Sequence, residues 1–106
     1  METNDAVCAL AALAQENRLA VFRLLVSNAP NGLTPGVIGD QLGLPAPTLS
    51  FHLKSLAQAG LVTAVQEGRF LRYRVAMAGV NALIEFLTED CCGGHPELCR
   101  PKGKQT

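Results

Sequence analysis

PAPTLSFHLKSLAQAGLV, residues 45–62, is the stretch of the chain that decides the fold. Leucines in it recur at the three- and four-residue spacing of one helical face, which predicts an amphipathic helix over about residues 47–59. The expected buried row is Leu49, Leu53 and Leu56. Gly60 follows at the position where a residue in the left-handed conformation ends a helix. The stretch therefore predicts one helix with a buried leucine row and a polar outer face.

The chain before this helix predicts three more helices. Apolar residues at helical spacing indicate a first helix over about residues 5–16 and a second that ends before Asn28. Thr34 as the N-cap and Pro35 at the first helical position begin a short third helix, which ends near Gly43. Its inward residues are expected to be Val37, Ile38 and Leu42. The third and fourth helices, joined by a tight proline-bounded turn, are typical of a helix-turn-helix.

Beyond Gly60 the apolar period changes from helical to alternating. This change predicts two strands, over about residues 61–66 and 70–75, joined in a hairpin. A final helix is expected over about residues 78–90. The predicted fold class is therefore mainly α with a small β-hairpin, a winged helix-turn-helix.

Composition and charge limit which binding partners and which cellular compartment we expect for this chain. A chain of 106 residues has room for one domain, and 48% hydrophobic with 17% charged residues indicates a globular protein. We expect no membrane span and no secretory signal, because long apolar runs and a basic start before an apolar core are both missing. The expected compartment is the cytoplasm. The formal net charge is zero, but residues 45–75 carry four basic side chains against one acidic, so a locally basic face can follow DNA phosphates.

The outer face of the fourth helix and the hairpin carry the candidate DNA contacts. In a winged helix-turn-helix the second helix of the pair enters the major groove, and the hairpin lies over the adjacent backbone or minor groove. The predicted contacts are Pro47, Thr48, Ser50, Phe51, His52, Lys54, Arg69 and Arg72. Hydroxyls can donate to phosphates or base edges, a lysine suits a phosphate, and an arginine at the turn can reach a minor groove. Taken singly, His52 is more often a surface or half-buried histidine, and Arg72 and Arg74 are as often a solvated hairpin face.

The same residues resemble those of a known family. Pro45–Val62 is similar to the recognition helix of the ArsR/SmtB family of metalloregulatory repressors. The hairpin, with Glu67–Arg69 and Arg72–Arg74, resembles the wing of that family. The resemblance runs from about Val7 to Leu87. It implies a homodimer built from the first and last helices, whose apo form binds an inverted-repeat operator in double-stranded DNA.

Three of the four cysteines lie within nine residues, at Cys91, Cys92 and Cys99. In a reducing compartment, clustered thiols are more often metal ligands or redox groups than disulfides. We therefore divide the chain into a DNA-binding and dimerisation domain, 1–90, and an inducer-binding tail, 91–106. Three thiolates suit a soft ion such as As(III) or Sb(III). The arrangement also resembles the arsenite-sensing branch of the family, which implies release of the operator when the ion binds.

Other ligands and other protein classes stay open. Zinc or cadmium is the main alternative inducer, because His95 could complete a site of three cysteines and one histidine. A thiol redox switch is a second alternative. Cys8 is expected to pack as a small apolar residue, although it could supply a fourth sulfur.

A carrier of thiophilic ions that has lost DNA binding is a further possibility. An enzyme is not expected, because no cysteine stands beside a positioned histidine on a rigid turn. Two other sites of the resembled family lack their ligands in this chain. The cysteine pair in the helix before the recognition helix is absent, because residues 34–42 contain no cysteine. The zinc site of carboxylates and histidines on the last helix is poorly supported, because residues 80–87 offer only Glu85 and no histidine.

Overall fold

The computed structural model of the chain describes residues 1–89. Within them lie five helices and one two-stranded antiparallel sheet. In chain order these are α1 (Thr3–Leu13), α2 (Glu16–Ser27), α3 (Pro35–Leu42), α4 (Ala46–Gln58), β1 (Val62–Glu67), β2 (Phe70–Val75) and α5 (Met77–Thr88). The order and type of these elements confirm the predicted winged helix-turn-helix. The last predicted residue of the domain, Asp90, and the predicted tail lie outside the described residues.

The ends of α3 and α4 follow from cap chemistry. Thr34 is extended and Pro35 opens α3, as predicted, although the Thr34 side chain makes no cap hydrogen bond. At the end of α4, Gly60 has a φ of 79°, and its N–H donates to the Ala57 carbonyl. The Leu61 N–H donates to the Leu56 carbonyl, so the two bonds form a Schellman motif. Gly60 therefore ends the helix and turns the chain directly into β1.

The core lies between the leucine row of α4 and the inner faces of α2 and α3. Its largest fully buried side chains are Val21, Leu25, Ile38, Leu49, Leu53, Leu56, Leu61 and Val62. Burying one such leucine stabilises the fold by about 1.5–3 kcal/mol relative to leaving it in water. The predicted burial of the α4 row is confirmed. The prediction that Val37 faces inward is wrong, since it is 39% exposed beside the fully buried Ile38.

Helix α1 packs through alanines rather than through its larger apolar side chains. Ala6, Ala9 and Ala12 are buried, and their small size lets α1 approach its neighbours closely. Cys8 is exposed, so the expectation that it packs as a small apolar residue is wrong for the single chain. Each residue turns the helix by about 100°, which carries position 8 away from the inner alanine stripe.

The hairpin forms the wing, and a short bridge ties it to the helices. Strands β1 and β2 pair from Val62 opposite Val75 to the turn end of the hairpin. Leu33 bridges Tyr73 through reciprocal backbone hydrogen bonds of 2.9 and 2.8 Å. Gly32, with a φ of 80°, allows this approach, because a Cβ there would overlap the Tyr73 carbonyl oxygen. Within residues 1–89 no helix has both the length and the apolar character needed to cross a bilayer.

Candidate nucleic-acid interface

The outer face of α4 is open to solvent along its length. The exposed side chains are Pro47, Thr48, Ser50, Phe51 and Lys54. They project from a helix whose opposite side is fixed by the buried leucine row, so the face is rigidly presented. Hydroxyl and ammonium donors on such a face match the acceptors of base edges and phosphates. Phe51 is 62% exposed, and an apolar ring there can contact a thymine methyl group.

His52 departs from the predicted outer face. Its side chain is only 6% exposed, and no hydrogen-bond partner of Nδ1 is found within the described residues. Burial lowers the pKa of His52 below its ordinary value of 6.5, and the positive charge of Arg18 lowers it further. The prediction that His52 lies on or near the outer face is therefore wrong. The signal was present, because His52 follows Leu49 by three residues and precedes Leu56 by four, which places it on the inner stripe.

Arg18 stands at the junction of α1 and α2, on the inner side of α4. Its Nε donates to the Ala12 carbonyl oxygen at 2.7 Å. Its backbone N–H donates to the Gln15 side chain, which caps the start of α2, at 2.8 Å. The guanidinium thus joins two helices and places a positive charge near the imidazole of His52. This arrangement favours the neutral form of His52.

In the wing, Arg69 and Arg72 have different surroundings. Arg69 lies exposed at the turn, beside Phe70, which is 66% exposed. Arg72 is half-buried, and its Nε donates to the Glu67 carboxylate at 2.9 Å. Its second nitrogen, Nη1, donates to the Gly32 carbonyl oxygen at 3.2 Å. The Arg72 guanidinium therefore connects the wing to the loop between α2 and α3.

Arg74 is a candidate DNA contact that was not among the predicted ones. It is exposed on the same face of β2 as Arg72, and within residues 1–89 its side chain has no hydrogen bond or ion pair. Together with Asn31, Glu67 and Arg72 it lines a polar cleft of about 330 Å³ between the wing and the α2–α3 loop. Strand alternation was the available signal, because residues 72 and 74 share a face in any extended strand.

The candidate inducer ligands Cys91, Cys92 and Cys99, and the alternative ligand His95, lie outside the described residues. Between residues 1 and 89, no three His, Cys, Asp or Glu side chains come close enough together to hold a metal ion. The predicted cysteine site therefore stays a prediction from the sequence.

Comparison with known proteins places the fold in a family. A family model described as a helix-turn-helix domain matches residues 13–65. The chain is 35% identical over 94 residues to the transcriptional activator HlyU of Vibrio cholerae, covering 87% of this chain and 84% of that protein. The structural match to solved HlyU includes 99% of the HlyU chain and has a TM-score of 0.67. A structure of reduced HlyU, 33% identical, covers 85% of this chain and 92% of its own, with a TM-score of 0.65.

Two further structures are similar. The homodimeric winged helix-turn-helix DNA-binding domain Mb0332 of Mycobacterium bovis, a possible ArsR-family regulator, is 28% identical. It covers 87% of this chain and 85% of its own, with a TM-score of 0.64. A possible transcriptional regulator for arsenical resistance is 29% identical, covers 77% of this chain and 85% of its own, and has a TM-score of 0.61. The chain belongs to the ArsR family of winged helix-turn-helix transcriptional regulators.

Proposed function

We propose that the chain is a metal(loid)-responsive transcriptional repressor of the cytoplasm. Its apo homodimer binds an inverted-repeat operator and is released when As(III) or Sb(III) binds the thiolates of Cys91, Cys92 and Cys99. The observation that carries the DNA-binding half is the exposed polar face of α4 beside the exposed Arg69 and Arg74. We propose no catalytic activity, since the family consists of DNA-binding regulators.

The proposed reading of DNA assigns a contact to five of the exposed side chains. Thr48 and Ser50 donate hydrogen bonds to base edges or phosphates in the major groove, and Lys54 pairs with a phosphate. Arg69 and Arg74 reach the backbone or minor groove beside the helix. Arg72 holds the wing against the α2–α3 loop, and His52 belongs to the core of the reading helix. This division follows from which of the side chains already have partners inside the protein.

The proposed homodimer rests on an apolar surface formed by α1 and α5, which contact each other. Val7, Leu10, Ile84 and Leu87 are between 43 and 58% exposed in the single chain. Exposed apolar residues grouped on neighbouring helices mark an interaction surface. The similar Mycobacterium bovis domain is homodimeric, which supports the same assembly here. A two-fold dimer would place its reading helices about one duplex turn, roughly 34 Å, apart.

The proposed inducer follows from the donor set. Three thiolates without a required fourth ligand suit the soft, three-coordinate chemistry of As(III) and Sb(III). The cysteines begin three residues after α5 ends at Thr88, and α5 belongs to the proposed dimer surface. Ion binding next to that helix is expected to change the dimer geometry and therefore the fit to the operator. The similar regulator for arsenical resistance supports this inducer class.

A thiol-redox-responsive regulator is the second candidate. The observation that favours it is the similarity to HlyU, which has been solved in a form described as reduced. In that case Cys91, Cys92 or Cys99 would form a disulfide on oxidation instead of binding an ion. A regulator that binds zinc or cadmium through the same cysteines and His95 is the third candidate.

Counting free thiols separates these candidates. The reduced chain has four thiols, and we expect about one equivalent of arsenite to protect three of them, while zinc at the same dose protects fewer. A Cys8→Ser variant is the matched control, in which arsenite should protect all three remaining thiols. Protection by zinc but not by arsenite would leave the DNA-binding proposal standing and overturn the inducer. Protection by neither, with reversible oxidation of two thiols, would favour the redox regulator.

A further inference from the structure

A cavity of about 420 Å³ lies between α3, α4 and the wing strand β2. Its apolar walls come from Leu44, Leu49 and Leu53 on one side and from Leu71 and Tyr73 of the wing on the other. The volume is within the range of about 300–1,000 Å³ that is usual for small-molecule sites. Leu49 and Leu53 are each 1% exposed, so this part of the wall belongs to the fixed core.

Two glycines of α3, Gly36 and Gly39, are among the residues that line the cavity. Gly36 and Gly39 are three residues apart and therefore share one side of the helix. A Cβ on Gly39 would contact the Leu44 carbonyl oxygen at 3.1 Å and Leu49 at 3.5 Å, which shows that this face points towards α4. A Cβ on Gly36 would meet nothing within 4 Å, so a larger residue there would occupy empty space.

One charged side chain, the solvent-exposed Asp40 at the mouth of the cavity, is among the lining residues. The carboxylate of Asp40 has no ion pair or hydrogen bond within residues 1–89, and no acidic or basic side chain besides it lines the cavity. Ser50 supplies a hydroxyl on the α4 side. An apolar cavity with a single negative group matches a ligand that has an apolar body and one positive group.

We propose that this cavity binds a small organic cation, with an aromatic or branched aliphatic body and a protonated amine directed at Asp40. Its lining residues are different from the cysteines proposed to sense As(III), so the chain would have a second effector site. A ligand there contacts both α4 and β2, the two elements proposed to read DNA. It would therefore act on DNA binding through the angle between the reading helix and the wing.

Titration of the isotope-labelled full-length protein with phenethylamine, followed by amide chemical shifts, tests this proposal. We expect saturable shifts at Gly36, Leu71 and Tyr73, with a dissociation constant on the order of 1 mM for so small a probe. Gly36→Leu should weaken binding more than about tenfold, because the added side chain fills the cavity. Asp40→Asn should weaken it about two- to fivefold, as expected for an exposed ion pair. Val37→Ala, on the same helix but outside the lining, should bind like the wild type.

The neutral analogue 2-phenylethanol separates the charge from the apolar body. We expect it to bind more weakly than the amine to the wild type, and equally to the wild type and Asp40→Asn. Cys92→Ser should bind phenethylamine like the wild type, so a failed arsenite response and a failed amine site are distinguishable. The proposal is overturned if shifts at the cavity do not saturate, if folded Gly36→Leu binds as well as the wild type, or if the amine and the alcohol bind equally.

Discussion

Replacing Arg72 by alanine distinguishes a wing brace from a DNA contact. In the structure the Arg72 guanidinium has two partners, the Glu67 carboxylate at 2.9 Å and the Gly32 carbonyl oxygen at 3.2 Å. Arg74, two residues along the same face, has neither kind of partner within residues 1–89. We therefore expect Arg72→Ala to lower the stability of the protein and Arg74→Ala to lower only its attraction to DNA.

The expected loss of stability follows from the exposure of the two contacts. The Arg72 and Glu67 side chains are 34% and 51% exposed, so solvent screens the ion pair. Such an exposed pair contributes about 0.2–1 kcal/mol. The hydrogen bond to Gly32 adds about 0.5–1.5 kcal/mol. Arg72→Ala should therefore lower the free energy of unfolding by about 1–2 kcal/mol, measured by urea denaturation. Glu67→Gln should lose only the ion-pair part.

The assay for DNA binding is fluorescence anisotropy with a duplex selected from a random library, measured over a range of salt concentrations. Each phosphate contact contributes about −0.9 to the slope of log K against log[salt]. Arg74→Ala should make the slope shallower by about 1, while Arg72→Ala keeps the wild-type slope and binds more weakly. The reasoning is refuted if Arg72→Ala reduces the slope by about 1 and leaves the unfolding free energy unchanged.

Three further predictions concern the core, the wing and the dimer. Burial lowers the pKa of His52, so the unfolded chain takes up the proton first, and stability is full above about pH 6.5 and falls as the pH drops below it. Urea denaturation at several pH values should show that the free energy of unfolding falls less with pH in His52→Gln than in the wild type. An equal fall in both proteins would contradict this prediction. Gly32→Ala should lower the free energy of unfolding by more than about 2 kcal/mol, and Gly43→Ala by about 1–2 kcal/mol. Both glycines have a positive φ, but of the two only Gly32 faces backbone atoms that a Cβ would overlap. Equal losses in the same assay would be evidence against this overlap. Ile84→Asp should be monomeric in light scattering, whereas Val37→Asp should stay dimeric, although both positions are exposed. A dimeric Ile84→Asp would exclude the α5 surface as the dimer interface.

Local patterns were sufficient to predict the elements of this fold. The leucine row of α4 and the cap at Gly60 depend on residues within two helical turns of each other, and both are confirmed. The predicted limits of the described elements differ from the observed ones by at most three residues at their starts and ends. The largest difference is at the end of α1, which was expected near residue 16 and lies at Leu13.

Contacts between distant segments could not be predicted in this way. Arg72 reaches Gly32 across 40 residues of sequence, and no periodicity reports such a partner. His52 was assigned to the outer face because only the three leucines were counted as the inner row, whereas its own position on the inner stripe decides its burial. Cys8 is exposed because alanines form the contact face of α1. The candidate site therefore follows from the sequence in outline, while the roles of individual side chains follow from packing.

The central claim is that a DNA-binding dimer is released by As(III) at its three clustered cysteines. The most direct measurement is anisotropy of the selected duplex bound to the reduced wild type and to Cys92→Ser, each titrated with arsenite. The account predicts that both proteins bind the duplex with equal affinity, and that arsenite releases only the wild type. Release of both proteins, or of neither, would contradict the assignment of the inducer to these cysteines. A wild type that binds no duplex at low salt would contradict the DNA-binding claim itself.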